Sequence, residues 1–290
     1  MIVAVLGTGQ RGRDIAHRCV RAGHEVRLRG TDATDVMDRV DEVRHALDGD
    51  VSAGIDGTTG LESAVSGSDI VIDATDRETE DHREVVAETE TMVSEETLIA
   101  VGDTSASVTA VASGLRRPDR AVGLNLVDPP DGAIVEVVIA EQTTATTRDR
   151  AADFVESLDA SPVVVRDTPG FAALRLELAT IAEAVRMVED GVAGVRDIDR
   201  TFERGDTDRD GPLVRADKHG LGTILAALED LAERLDDRFE PPPLLREKVE
   251  DGQLGVATGE GFYVWEGGTP TVGADPDPEV PTRDSEPDLR

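Results

Sequence analysis

The segment Val5-Leu6-Gly7-Thr8-Gly9-Gln10-Arg11-Gly12 constrains this chain more than any other, because it sets three glycines at G-x-G-x-x-G spacing. The apolar run Ile2–Leu6 before it reads as a buried strand, and Arg13–Ala22 after it as a helix. In a strand–turn–helix context each glycine has a separate use. Gly7 permits the tight turn, Gly9 leaves backbone N–H groups open to a diphosphate, and Gly12 lets helix and strand pack closely. The helix N-terminus adds partial positive charge. The segment therefore predicts a dinucleotide-phosphate site built from Gly7, Gly9, Gln10, Arg11 and Gly12, and commits the N-terminal region to an α/β fold.

The rest of the chain divides around that start. Short apolar runs at Glu25–Leu28, Asp69–Ala74, Thr97–Val101, Arg120–Gly123, Ile134–Ala140 and Pro162–Val165 read as further strands. Thr31 to Ser68 reads as helical material, with Val36, Val40, Val43 and Leu47 on one face. Past Asp167-Thr168-Pro169-Gly170 the pattern turns helical. Ile181, Val185 and Val188 share a face that Gly191 ends, and Leu221, Ile224, Leu225, Leu228, Leu231 and Leu235 form a stronger stripe. The residues from Gly267 onward carry five prolines and six acids against two arginines, a composition that cannot bury a core. The expected architecture is a Rossmann-type, mostly parallel sheet domain over 1–166, an all-α domain over 167–266, and a disordered acidic tail over 267–290.

Cofactor choice stays open at this stage. A site for NAD normally places Asp or Glu about 20 residues beyond the glycines to hold the ribose 2′-hydroxyl. That position is Gly30, flanked by Arg29 and Thr31. In one reading Arg29 and Thr31 receive a 2′-phosphate, giving NADP; in the other Asp32 takes over the acid's role, giving NAD. The plainer alternative makes Arg27 and Arg29 the outward face of an alternating strand.

Composition excludes several classes. Thirty basic residues against 61 acidic ones leave a formal net charge of −31, so no broad electrostatic footprint for nucleic acid or an anionic membrane is expected. Only Lys218 and Lys248 are lysines. With 39% hydrophobic content in periodic runs, this reads as a folded protein with the hydrated, lysine-poor surface of halophilic cytoplasmic proteins. Cys19 is alone, which excludes an intramolecular disulfide framework, and it reads as an apolar filler on a helix. His17, His24, His45 and His219 have no metal-site spacing, and neither a membrane span nor a signal peptide is expected.

Taken with the glycine-rich turn, a series of ordered segments resembles the short-chain L-3-hydroxyacyl-CoA dehydrogenase family, including 3-hydroxybutyryl-CoA dehydrogenases, over about Met1 to Glu266. The segments include Gly57-Thr58-Thr59-Gly60-Leu61-Glu62, Asp103-Thr104-Ser105, Arg120-Ala121-Val122-Gly123-Leu124, Ile134-Val135-Glu136-Val137-Val138, Thr168-Pro169-Gly170-Phe171, Asp197-Ile198-Asp199, Gly211-Pro212-Leu213, Asp217 and Gly261-Phe262-Tyr263. The chain is similar to a haloarchaeal-type acidic member with a degenerate active site. The resemblance implies NAD as cofactor, a homodimer formed through the helical domain, and an acyl thioester bound between domains. It also implies hydride transfer at the 3-hydroxyl carbon, assisted by a His acid/base, a Glu that orients it, and a Ser and an Asn on the substrate oxygen. Residue by residue, the Ser falls on Ser105 and the Glu on Glu136. The His position holds Asn125, and the Asn position holds Leu174.

Asn125 can donate a hydrogen bond but cannot shuttle a proton. A dehydrogenase of this kind therefore needs another acid/base, for which Asp103, Asp128 and His82 are the candidates, with a solvated surface place as the plainer reading of His82. Glu136 is weighed as a structural acceptor, and Ser105 as a cap on local backbone. The few basic residues between Thr31 and Ser68, Arg39 and Arg44, leave a non-CoA β-hydroxy acid substrate in play. Two alternatives stand beside the dehydrogenase: a non-catalytic nucleotide- or acyl-CoA-binding paralogue acting as sensor or subunit partner, and a related reductase on a different β-hydroxy acid.

Overall fold

The computed structural model describes residues 1–47, 54–75, 79–102, 106–127, 133–202 and 210–271. The chain forms two compact units, Met1–Ala173 and Leu174–Arg290.

The first unit is an eight-stranded sheet in the order β3-β2-β1-β4-β5-β6-β7-β8. Its strands are β1 (Ile2–Leu6), β2 (Glu25–Arg29), β3 (Ile55–Thr58), β4 (Ile70–Asp73), β5 (Leu98–Val101), β6 (Ala121–Val127), β7 (Ile134–Ile139) and β8 (Ser161–Arg166). Strands β1 to β6 run parallel, β7 is antiparallel to β6, and β8 is parallel to β7. The central strands are continuous apolar runs because helices cover both faces: β4 and β5 are buried at every position. The crossover helices are α1 (Gln10–Arg21), α2 (Ala33–Ala46), α3 (Leu61–Val65), α4 (Thr79–Glu90), α5 (Val108–Ala112) and α6 (Ala145–Ser157). In α1, Ile15, Ala16, Cys19 and Val20 face the sheet. Burial pushes the Cys19 thiol up to about 12, which leaves it inert.

One strand departs from the sequence reading. β3 lies inside the stretch expected to be helical, between Thr31 and Ser68. It is a four-residue edge strand with one buried apolar side chain, Ile55, so it carries no periodic signal. Gly57 is in it because a Cβ there would stand 2.5 Å from a Val36 methyl on α2.

The second unit holds α7 (Ala173–Glu189, whose first residue closes the sheet unit), α8 (Val195–Arg200), α9 (Pro212–His219), α10 (Leu221–Arg234) and α11 (Pro243–Glu250). Leu178, Ile181, Val185, Leu213, Leu221, Leu228, Leu231 and Leu245 fill its core with Phe262, Tyr263 and Trp265. Two buried carboxylates organise it. Asp199 accepts from the N–H groups of Leu213 and Val214 at 2.8 and 2.9 Å, capping α9, and from the Tyr263 hydroxyl at 2.9 Å. Asp217 accepts from Phe262 N, Tyr263 N and Trp265 Nε1 at 2.8–2.9 Å. Gly211 backs onto Asp199, and Gly255 and Gly261 onto Asp217, at distances that leave no room for a Cβ. Where the tail was expected to begin, Gly267 and Gly268 instead turn a short hairpin of β9 (Val264–Glu266) and β10 (Thr269–Thr271). Residues 272–290 lie outside the described residues. No helix among the described residues is long and apolar enough to cross a membrane.

Candidate active site

The strand order reverses between β1 and β4, and a cavity of about 480 Å³ opens there, at the carboxyl ends of β1, β2 and β4. Gly7, Thr8, Gly9, Gln10, Arg11, Arg29, Gly30, Thr31, Ala74 and Thr75 line it. Gly7 takes φ of +121°, and a Cβ on it would meet the Ala74 carbonyl oxygen at 2.9 Å. Gly12 lies behind the wall, where a Cβ would be 2.1 Å from the Gly7 carbonyl oxygen. Gly9 is the N-cap of α1, makes no side-chain cap, and would project a Cβ into open space. No acid stands in the first turn of α1, so its N–H groups and dipole face the cavity without a competing anion. A diphosphate fits this arrangement.

Seven of the nine residues expected to hold the cofactor thus line one cavity. Gly12 supports its wall. Asp32 is committed elsewhere: its Oδ1 accepts from the Asp35 N–H at 2.9 Å and caps α2. The Gln10 amide bonds Asp14 at 2.7 Å and also accepts from Arg13. Thr8, Ala74 and Thr75 were not singled out in the sequence. Thr8 lies within the glycine-rich turn; the signal for Ala74 and Thr75 is the end of the Asp69–Ala74 run, since the strand beside β1 delivers its carboxyl end to the same opening.

Below Thr75 sits a buried pair. His82 Nδ1 is 2.8 Å from Asp73 Oδ2, with side chains 0% and 1% exposed, and Asp73 Oδ1 accepts from Thr75 Oγ1 at 2.6 Å. The expectation of a solvated His82 is therefore corrected. It lies on α4 facing the sheet, where a carboxylate at the end of β4 satisfies it.

The second constellation sits on β6 and β7. The registers Leu6–Asp73, Asp73–Val101 and Val101–Gly123 form one row across the sheet. Asn125 is two residues past that row, toward the edge where the cavity opens. Antiparallel pairing sets it opposite Glu136, so both side chains share a face. Asn125 Nδ2 donates to Glu136 Oε2 at 2.7 Å. Glu136, 2% exposed, takes two more N–H donors on Oε1, from Ala172 at 2.9 Å and Ala173 at 2.8 Å. Three donors on one side chain suit a carboxylate and dictate that Asn125 turns its nitrogen, not its oxygen, toward Glu136. The amide is thereby fixed with one N–H spent and one remaining. Glu136 also serves as a structural acceptor, tying β7 to the start of α7.

Ser105, Asp103 and Asp128 lie outside the described residues. Leu174, at the position where the resemblance places a substrate-contacting Asn, packs on the core of the helical unit. Among the described residues no group of three or more His, Cys, Asp or Glu side chains is placed to hold a metal ion.

Comparison with known proteins agrees with the two-unit architecture. The model of the 3-hydroxyacyl-CoA dehydrogenase NAD-binding domain matches residues 2–168, and that of the 3-hydroxyacyl-CoA dehydrogenase C-terminal domain matches 170–265. The chain is 29% identical to 3-hydroxybutyryl-CoA dehydrogenase of Clostridioides difficile, over 91% of this chain and 99% of that protein. It is 30% identical to 3-hydroxybutyryl-CoA dehydrogenase of Bradyrhizobium diazoefficiens, over 97% and 98%. Among solved structures, (S)-3-hydroxybutyryl-CoA dehydrogenase from Ralstonia eutropha superposes with a TM-score of 0.83 at 30% identity, covering 91% of this chain and 99% of that one. A parallel sheet with a glycine-walled dinucleotide cavity, followed by a helical unit, and matched along nearly its whole described length, this chain belongs to the 3-hydroxyacyl-CoA dehydrogenase family.

Proposed function

We propose that the protein interconverts a short-chain 3-hydroxyacyl thioester and its 3-keto form, with Asn125 as hydrogen-bond donor to the C3 oxygen in place of a proton-shuttling histidine. The single observation that carries this reading is the Asn125–Glu136 bond. It leaves a rigid amide with a free N–H, and an amide has no proton to shuttle. Gly7, Gly9 and the first turn of α1 would hold the diphosphate of NAD(P), which when bound would supply a nicotinamide carbon able to give or take a hydride. As hydride reaches C3 of the keto form, negative charge grows on the C3 oxygen, and an N–H already aimed there stabilises it without reorganising. The oxygen then takes its proton from solvent or from a titratable group outside the Asn125–Glu136 pair. His82 is not that group in this reading, because Asp73 holds it fully buried.

The relatives' names support a 3-hydroxybutyryl-CoA-sized substrate, although Arg39 and Arg44 of α2 are poorly placed to serve CoA phosphates. Arg39 pairs with Asp35 and Glu42; Arg44 pairs with Asp41 and donates to the Ile55 carbonyl. Exposed Leu176 and Val192 on the helical unit support assembly as a homodimer. The test is reduction of acetoacetyl-CoA by NADH or NADPH in molar KCl, followed at the nicotinamide absorbance band. Turnover above about 1 s⁻¹ is expected, within the ordinary enzyme range. Dinucleotide binding without any turnover of 3-ketoacyl thioesters would instead favour the non-catalytic binding protein.

A further inference from the structure

The geometry points to NADP(H), not NAD(H), as the dinucleotide this cavity selects, with Arg29 reading the 2′-phosphate. The inference rests on the dinucleotide reading above and deepens it.

Three observations combine. First, the end of β2 cannot carry the acid that an adenosine ribose 2′-hydroxyl would need. A Cβ at Gly30 would stand 2.6 Å from a Val36 methyl and 2.7 Å from the Thr8 methyl. Val36 is 1% exposed and, like Thr8, branched at Cβ, so neither side chain swings aside cheaply. Gly30 is thus required by packing, beyond merely lacking a carboxylate. Second, the nearest alternative acid, Asp32, spends an oxygen capping α2 and does not line the cavity. Third, Arg29 is the last residue of β2 and does line the cavity. Its one side-chain bond among the described residues is from Nε to the Thr59 carbonyl at 3.4 Å, which leaves both Nη groups without an acceptor among those residues.

Neighbouring arginines are committed to acids: Arg13 to Glu42, Arg27 to Glu25, Arg39 to Asp35 and Glu42. Arg29 is in none of the ion pairs among the described residues, although it stands where the ribose of a bound dinucleotide ends. A ribose hydroxyl in that place would find no carboxylate among the cavity-lining residues, whereas a phosphate would find a guanidinium able to bind it through two parallel N–H bonds. The exposed Thr31 adds a hydroxyl at the same rim.

Binding, not turnover, tests this most cleanly. Isothermal titration of the full chain with 2′,5′-ADP and with 5′-AMP isolates the 2′-phosphate from the nicotinamide, and NADP⁺ and NAD⁺ complete the set. The expected result is that 2′,5′-ADP binds at least about tenfold more tightly than 5′-AMP, the size of a charge-assisted hydrogen bond. Arg29→Ala should abolish that preference while leaving 5′-AMP affinity and melting temperature nearly unchanged, and Arg29→Lys should keep part of it. Equal affinity of the wild-type chain for the two nucleotides would overturn the inference. So would an Arg29→Ala variant that weakens both alike, which would mean Arg29 stacks on adenine. If none of the four ligands binds, the dinucleotide reading itself fails, an outcome distinct from binding without preference.

Discussion

Asn125 and Glu136 show how one replaced residue changes the chemistry a pair can perform while leaving the pair intact. A histidine at position 125 would hand its proton on and draw charge from Glu136; an asparagine only donates. Asn125→His therefore installs a group that titrates near pH 6.5 against an existing carboxylate. The expected outcome is a rise in kcat of about 10²-fold, with a pH profile altered by the new imidazole, read from steady-state rates of both proteins across pH 5–9. The sequence assigns the glutamate and raises a structural acceptor role for it, but not the donors that it serves. Its bonds to Ala172 and Ala173 span 36 and 37 residues and depend on where α7 begins. His82 was misjudged for a similar reason: its burial depends on Asp73, nine residues away across a strand-to-helix connection, and no periodicity reports that contact.

At the level of elements, the strands with continuous apolar runs were legible, β1 to the residue, because burial on both faces leaves no other composition. β3 was missed because its sequence, Ile-Asp-Gly-Thr, has one apolar side chain and its glycine answers to α2. In the helical unit the stripes of α7 and α10 were visible, but Asp199 and Asp217 were visible only as part of a resemblance. The structure supplies their reason: each gathers three donors, from up to 64 residues away. Burial raises both carboxyls above the usual range against the pull of those donors. Asp217→Ala strands two backbone N–H groups and the Trp265 indole, and should cost about 3 kcal/mol or more in denaturant unfolding.

At the far end of α4, Glu90 has the opposite shift. Burial works to raise it, but the N–H groups of Arg116 and Arg117 and the Arg120 guanidinium outweigh that and hold it below the usual carboxylate range. Its contribution to stability is therefore present above the unfolded-state pKa of about 4.3 and is lost as pH falls through the lower folded value. Glu90→Gln should lower stability near pH 7 by about 3 kcal/mol and flatten the acid limb of the stability profile below about pH 4, measured by thermal melts.

Over the whole molecule, the net charge of −31 argues against a broad electrostatic footprint for an anionic partner. Self-repulsion of this size opposes the compact state, and salt relieves it: the screening length falls from about 10 Å at 0.1 M to about 3 Å at 1 M. Raising KCl across that range should lift the melting temperature by roughly 5 °C or more, which a neutral osmolyte at equal osmolarity should not reproduce.

The most direct measurement is kcat of Asn125→Ala with saturating acetoacetyl-CoA and reduced dinucleotide, beside the wild type and with dinucleotide affinity measured in parallel. If Asn125 donates to the oxygen on which charge develops, kcat falls by about 10²-fold or more while dinucleotide affinity holds. Turnover equal to the wild type would contradict that role and place the reacting oxygen elsewhere.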